Sequence, residues 1–82
     1  MIQVKVKLFA VAKDIVGKSE LEFFLQENAN ASEVLDLLVR QFPKFMEWKN
    51  FLRVAVNNEY VSLDFLLKNN DEVAIIPPVS GG

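Results

Sequence analysis

Pro77-Pro78-Val79-Ser80-Gly81-Gly82 closes the sequence, and its two terminal glycines are two of only three in the whole chain. The chemistry such a segment can offer is that of a terminal carboxylate. Lacking a Cβ, Gly81 and Gly82 neither block close approach nor restrict φ, so they can thread a narrow channel and present the Gly82 carboxylate to another protein's active site. Gly82 is therefore the expected reacting residue, with Gly81, Ser80, Val79, Pro78 and Pro77 as the threading segment. Six residues reach at most about 20 Å at about 3.3 to 3.6 Å each, enough to enter a partner's pocket. Pro77 and Pro78 have fixed φ and favour polyproline II, which predicts a stiff tail base aimed away from the body and a mobile tip.

Other chemistries are excluded by what the chain lacks. With 0 Cys and 0 His there is no thiolate nucleophile, disulfide, imidazole base or usual zinc ligand. Asp71 with Glu72, and Glu20 with Glu22, read as turns or solvated faces because no other ligand type backs them, so no metal site and no bound cofactor are expected. The groups that activate Gly82 must then come from partners, and the chain has no independent active site. A net charge of −2 with only 9 Lys and Arg leaves no clustered basic face for nucleic acid. The opening Met1-Ile2-Gln3-Val4-Lys5-Val6-Lys7 interleaves polar with apolar residues, unlike a signal peptide or membrane span, so the expected residence is cytoplasmic with no membrane contact.

The elements that must hold this tail form one domain. At 82 residues the chain buries only about 60 to 65% of its unfolded surface, and 51% hydrophobic against 24% charged residues is a globular composition. Ile2, Val4, Val6 and Leu8 alternate with Gln3, Lys5 and Lys7, the period of a half-buried strand. Ala10 to Val16 is short and partly helical in composition, Gly17 can break it with positive φ, and Ser19 to Leu25 resumes alternation through Leu21, Phe23 and Leu25. Asn30 and Glu33 form a capping box for a helix whose apolar stripe is Val34, Leu35, Leu38 and Phe42, and Pro43 stops it. Arg53-Val54-Ala55-Val56, a turn at Asn57-Asn58, and Glu59-Tyr60-Val61 read as a hairpin. A loop with room for a single helical turn at Phe65 to Leu67 leads to a turn at Asn69-Asn70-Asp71 and a last strand over Glu72 to Ile76. The order β, β, α, β, β, β predicts an α+β ubiquitin-like β-grasp: a mixed sheet of about five strands, one main helix across it, and the first and last strands parallel neighbours. Residues 1–76 make the β-grasp domain and residues 77–82 the extended Gly-Gly tail.

Leu8-Phe9-Ala10, Gly17, Val54-Ala55-Val56-Asn57 and above all the run from Asp71 to Gly82 resemble the small-subunit family of molybdopterin synthase, ubiquitin-like sulfur carriers, over the full chain. The resemblance implies that an E1-like adenylyltransferase consumes ATP to adenylate the terminal Gly and that a sulfur donor protein converts it to a thiocarboxylate. It further implies sulfur delivery to cyclic pyranopterin monophosphate for molybdenum cofactor biosynthesis, with two carriers needed per dithiolene. The partner would be the synthase large subunit, in a heterotetramer of two small and two large subunits, so that the chain is enzymic only as a sulfurtransferase subunit. Two neighbouring destinies share the same activation: a thiamine-type sulfur carrier and a ubiquitin-like protein modifier. The Pro77-Pro78-Val79-Ser80 lead favours the first reading over thiamine carriers.

If Val54, Val56, Val73 and Ile75 face the helix, alternation turns Ala55, Ala74 and Ile76 outward, and Phe9 is opposite in parity to the core residues of its strand. Phe9, Ala55, Ala74 and Ile76 are thus the expected exposed apolar patch, docking the large subunit and, in turn, the E1-like enzyme.

Overall fold

A computed structural model describes residues 1–78, so the tail residues Val79, Ser80, Gly81 and Gly82 lie outside the described residues. Five strands form one mixed sheet in the order β2-β1-β5-β3-β4. They are β1 (Ile2–Leu8), β2 (Glu20–Leu25), β3 (Arg53–Val56), β4 (Glu59–Val61) and β5 (Glu72–Ile76). As expected, β1 and β5 run parallel side by side, with Val6 opposite Val73 and Leu8 opposite Ile75. The other pairings are antiparallel, so β5 is hydrogen-bonded between β1 and β3 at the centre of the sheet.

Period-two burial fixes which face meets the helix. Ile2, Val4, Val6, Leu8, Phe23, Leu25, Val54, Val56, Val73 and Ile75 turn inward and pack with Val34, Leu35 and Leu38 of helix α2 (Ala31–Gln41). The helix starts where the capping box placed it: the Glu33 N–H donates to Asn30 Oδ1 (3.2 Å) and the Asn30 N–H to Glu33 Oε2 (2.7 Å). A second, seven-residue helix α1 (Ala10–Val16) adds to the expected plan and ends on Gly17 in the left-handed region at φ 83°. Beyond Pro43 the chain makes two short 3₁₀ turns, Pro43–Glu47 and Lys49–Phe51, which drive Phe45 fully into the core against Phe42 in an edge-to-face contact with centroids 6.4 Å apart.

The helical turn expected at Phe65 to Leu67 does not form. The segment instead makes a turn at Ser62 to Phe65 and an isolated bridge between Leu66 and Asn30. Its carbonyls serve the start of α2, the Ala31 N–H donating to Phe65 O (3.0 Å) and the Ser32 N–H to Leu63 O (2.9 Å). The free N–H groups of a helix start compete successfully for carbonyls that a local turn would have used internally.

Candidate functional site

The described part of the tail begins at the end of the central strand. Because β5 has a neighbour on each side, its direction is set by two ladders, and Arg53 pairs directly with Ile76, the last strand residue. Pro77 is buried and Pro78 exposed, so the chain reaches the surface at Pro78. Both prolines line a cleft of about 550 Å³ with Phe51, Arg53, Tyr60 and Ile76. The reacting residue Gly82 and the threading residues Gly81, Ser80 and Val79 follow this point outside the described residues.

The start of β5 is fastened by a polar staple. The Asn57 side chain donates from Nδ2 to Asp71 Oδ1 (3.0 Å) while its Oδ1 accepts from the Glu72 N–H (3.0 Å). Asp71 Oδ2 accepts from the Lys68 N–H (2.8 Å), and the Asp71 carbonyl accepts from the Lys5 N–H (3.0 Å). The hairpin turn that supplies Asn57 has both residues at positive φ, 51° for Asn57 and 72° for Asn58, the conformation that lets two-residue loops follow strand twist. Buried Asp71 thus has partners on both carboxylate oxygens, as a charge taken from water requires.

On the outer sheet face the expected apolar patch is narrower than alternation implied. Phe9 is 50% exposed and Ala74 and Ile76 are half-buried, but Ala55 is buried at 6%. Its parity is as expected, since it lies outside the core cluster that takes Val54 and Val56. Its methyl sits between its register partners Tyr60 on β4 and Ala74 on β5, and a side chain that short on an inner strand is shaded by its neighbours. Phe9 and Ala74 instead border a second cleft of about 510 Å³ together with Lys7, Lys13, Asn58 and Glu72. Phe9 keeps extended backbone while Ala10, directly after it, is held at φ 51°, a conformation that costs a non-glycine residue about 1 to 2 kcal/mol.

Charge occupies the β1–β2 side of the same face. Lys7 Nζ lies 2.9 Å and Lys5 Nζ 3.8 Å from the Glu20 carboxylate. The Lys7 hydrogen bond, and then the lysine charges, hold the Glu20 carboxyl below its ordinary range; hydrogen bonding to Glu20 and its charge raise Lys7. Among the described residues no three acidic side chains gather as a metal site would require, and no helix is long and apolar enough to cross a membrane.

Arg53, Tyr60 and Phe51 were not singled out in sequence, yet they surround the tail base. Alternation alone would have placed Arg53 and Tyr60 on the outer face with Ala55, whereas the approach of Phe51 depends on the 3₁₀ turns.

Comparison with known proteins agrees with this geometry. The ThiS family profile matches residues 6–82. A molybdopterin synthase sulfur carrier subunit of Arabidopsis thaliana is 36% identical over 81 residues, 99% of this chain and 84% of its own. A putative molybdopterin converting factor subunit 1 from Pyrococcus furiosus superposes with a TM-score of 0.88 at 33% identity, over 96% of this chain and 100% of that one. In a protein-protein complex of subunits 1 and 2 of molybdopterin-converting factor from Helicobacter pylori, a chain 21% identical shares the fold, with a TM-score of 0.69 over 99% of this chain and 100% of that chain. The β-grasp body, the tail base at its central strand and these likenesses lead to one assignment: the chain belongs to the ThiS family, and within it is similar to the molybdopterin synthase sulfur carrier subunits.

Proposed function

We propose that this chain is the sulfur carrier of a molybdopterin synthase and that Gly82 is the residue that carries the sulfur. An E1-like adenylyltransferase joins the Gly82 carboxylate to AMP, releasing pyrophosphate from ATP. A sulfur donor then displaces AMP to leave a thiocarboxylate. Splitting a hard substitution into two easier ones through an activated acyl group is the logic of covalent catalysis. In the synthase large subunit the sulfur passes to cyclic pyranopterin monophosphate, and water returns the oxygen that restores the carboxylate. The carrier binds no cofactor of its own, ATP being held by the activator, and works in the cytoplasm as part of a tetramer of two small and two large subunits. Phe9, Ala74 and Ile76, with Ala55 shaded between Tyr60 and Ala74, contribute to the surface that both partners use in turn.

One observation supports this most directly: the central strand, fixed by ladders on both sides and stapled at its start, delivers the chain through Pro77 and Pro78 to the surface immediately before Val79-Ser80-Gly81-Gly82. A body that locates its tail base this firmly loses less freedom when the tail is engaged. The test is incubation with the candidate large subunit, E1-like enzyme, ATP, a sulfur source and the pyranopterin. The full chain should gain the mass of one oxygen replaced by sulfur and support product formation, and a Gly82 deletion should do neither. Product from the truncated chain refutes the assignment; an isopeptide ladder on target lysines would point to a protein modifier instead.

A further inference from the structure

The cleft at the tail base has a chemistry of its own. Phe51 is 62% exposed and Tyr60 66% exposed, large apolar surfaces that a small domain gains nothing by leaving wet. Between them, Ile76, Pro77 and Pro78 continue the apolar floor. The single ionised side chain among the lining residues is Arg53. It is exposed, shares the outer face with Ile76 through direct pairing, and makes no ion pair with another described residue. The chain as a whole is acidic at −2, so this guanidinium is a local exception. Beside it, β4 is an edge of the sheet, pairing only with β3.

We propose that this cleft takes an extended apolar segment of the synthase large subunit, and that one carboxylate on that segment pairs with Arg53. The proposal rests on the sulfur carrier reading. The four residues beyond Pro78 reach at most about 14 Å, so whichever protein grips Gly82 brings its own surface within that distance of Pro78 and over the cleft. Such a surface must be largely apolar to match Phe51, Tyr60 and Ile76. It must also supply an acceptor for Arg53, because a guanidinium covered without a carboxylate or carbonyl partner is costly, whereas its planar fork meets a carboxylate with two parallel hydrogen bonds. The exposed edge of β4 favours an extended segment over a helix as the occupant. Arg53 is in this account a specificity residue for docking and takes no part in sulfur chemistry.

The experiment titrates the full chain with its purified large subunit at about 50 mM and about 500 mM salt, a range over which exposed charge pairs are progressively screened. Arg53→Gln should weaken binding about tenfold and Arg53→Glu about a hundredfold, with melting temperatures unchanged, because the native side chain bonds no other described residue. Tyr60→Ala should weaken binding about tenfold, as loss of an aromatic contact does. Wild-type affinity should fall more steeply with salt than that of Arg53→Gln, a difference a purely structural residue would not produce. Binding of Arg53→Glu within twofold of wild type overturns the inference, as does a loss confined to the activating protein. If Arg53→Glu still binds while the wild-type chain is thiocarboxylated and yields product, only this inference falls. A wild-type chain that does not bind the large subunit at all removes both.

Discussion

Replacing Asn57 tests whether the staple at the start of β5 is a real determinant of the fold. Asn57→Ala removes the bond to Asp71 and the bond from the Glu72 N–H, each worth about 1 kcal/mol net. It also forces an alanine to remain at φ 51°, adding about 1 kcal/mol of backbone strain. Asp71 keeps its Lys68 N–H partner, which limits the desolvation cost of its orphaned oxygen. The total is about 3 kcal/mol, and at about 4 to 8 °C per kcal/mol for a domain of this size the melting midpoint should fall by about 12 to 24 °C. Asn57→Gly loses the same two bonds but not the backbone comfort, so it should retain about 1 kcal/mol of what alanine forfeits. Thermal unfolding of the three proteins side by side is the assay. Equal midpoints for Gly and Ala would refute the strain component. Midpoints within a degree or two of wild type for both would refute the staple altogether.

Other consequences follow from the same geometry. Ala10→Gly should raise stability by about 0.5 kcal/mol, the relieved left-handed strain exceeding glycine's entropic cost, while Ala10→Val should lower it by more than that; urea unfolding reads both. Phe45→Ala should cost about 3 to 5 kcal/mol, because the fully buried ring leaves a cavity beside Phe42, and a loss under about 1 kcal/mol would show the 3₁₀ turns can collapse into the gap. Glu20 is held below the ordinary carboxylate range, so the stability it contributes with Lys7 and Lys5 is present at neutral pH and disappears as pH falls through the lowered value. The difference in melting temperature between wild type and Glu20→Gln should therefore be small and positive near neutrality and vanish in acid; on the alkaline side it should fade as pH rises through the raised value of Lys7.

What could be read from the chain alone was local. The alternation of Ile2 to Leu8, the Asn30–Glu33 cap, the stop at Pro43, the positive φ of Gly17 and the Asn57-Asn58 turn each depend on neighbours within a few residues, and each was legible. The parallel contact of β1 with β5 was accessible only through the order of elements. What escaped was decided at long range. Phe45 looks like any residue of an aromatic stretch until the 3₁₀ turns carry it under the sheet. Phe65 to Leu67 has the composition of a helical turn, but the unfilled N–H groups at the start of α2 take the Phe65 carbonyl and that of Leu63 just before it. Ala55 was assigned its face correctly and its exposure wrongly, since shading by Tyr60 and Ala74 is a property of register and side-chain size. Arg53 carried no motif, and its place beside the tail base emerges only when β3 pairs with β5.

The middle of the sheet is made from the last strand to be synthesised. During translation β1, β2, β3 and β4 leave the ribosome before β5, yet without β5 the two hairpins have no hydrogen-bonded seam between them. Such nascent pieces hold mostly local contacts and cannot close the non-local ones on which cooperativity depends. A body that has condensed is therefore one whose synthesis has already run to Ile76, so a surface that spans β1, β5 and β3 does not exist on a nascent chain that still lacks β5.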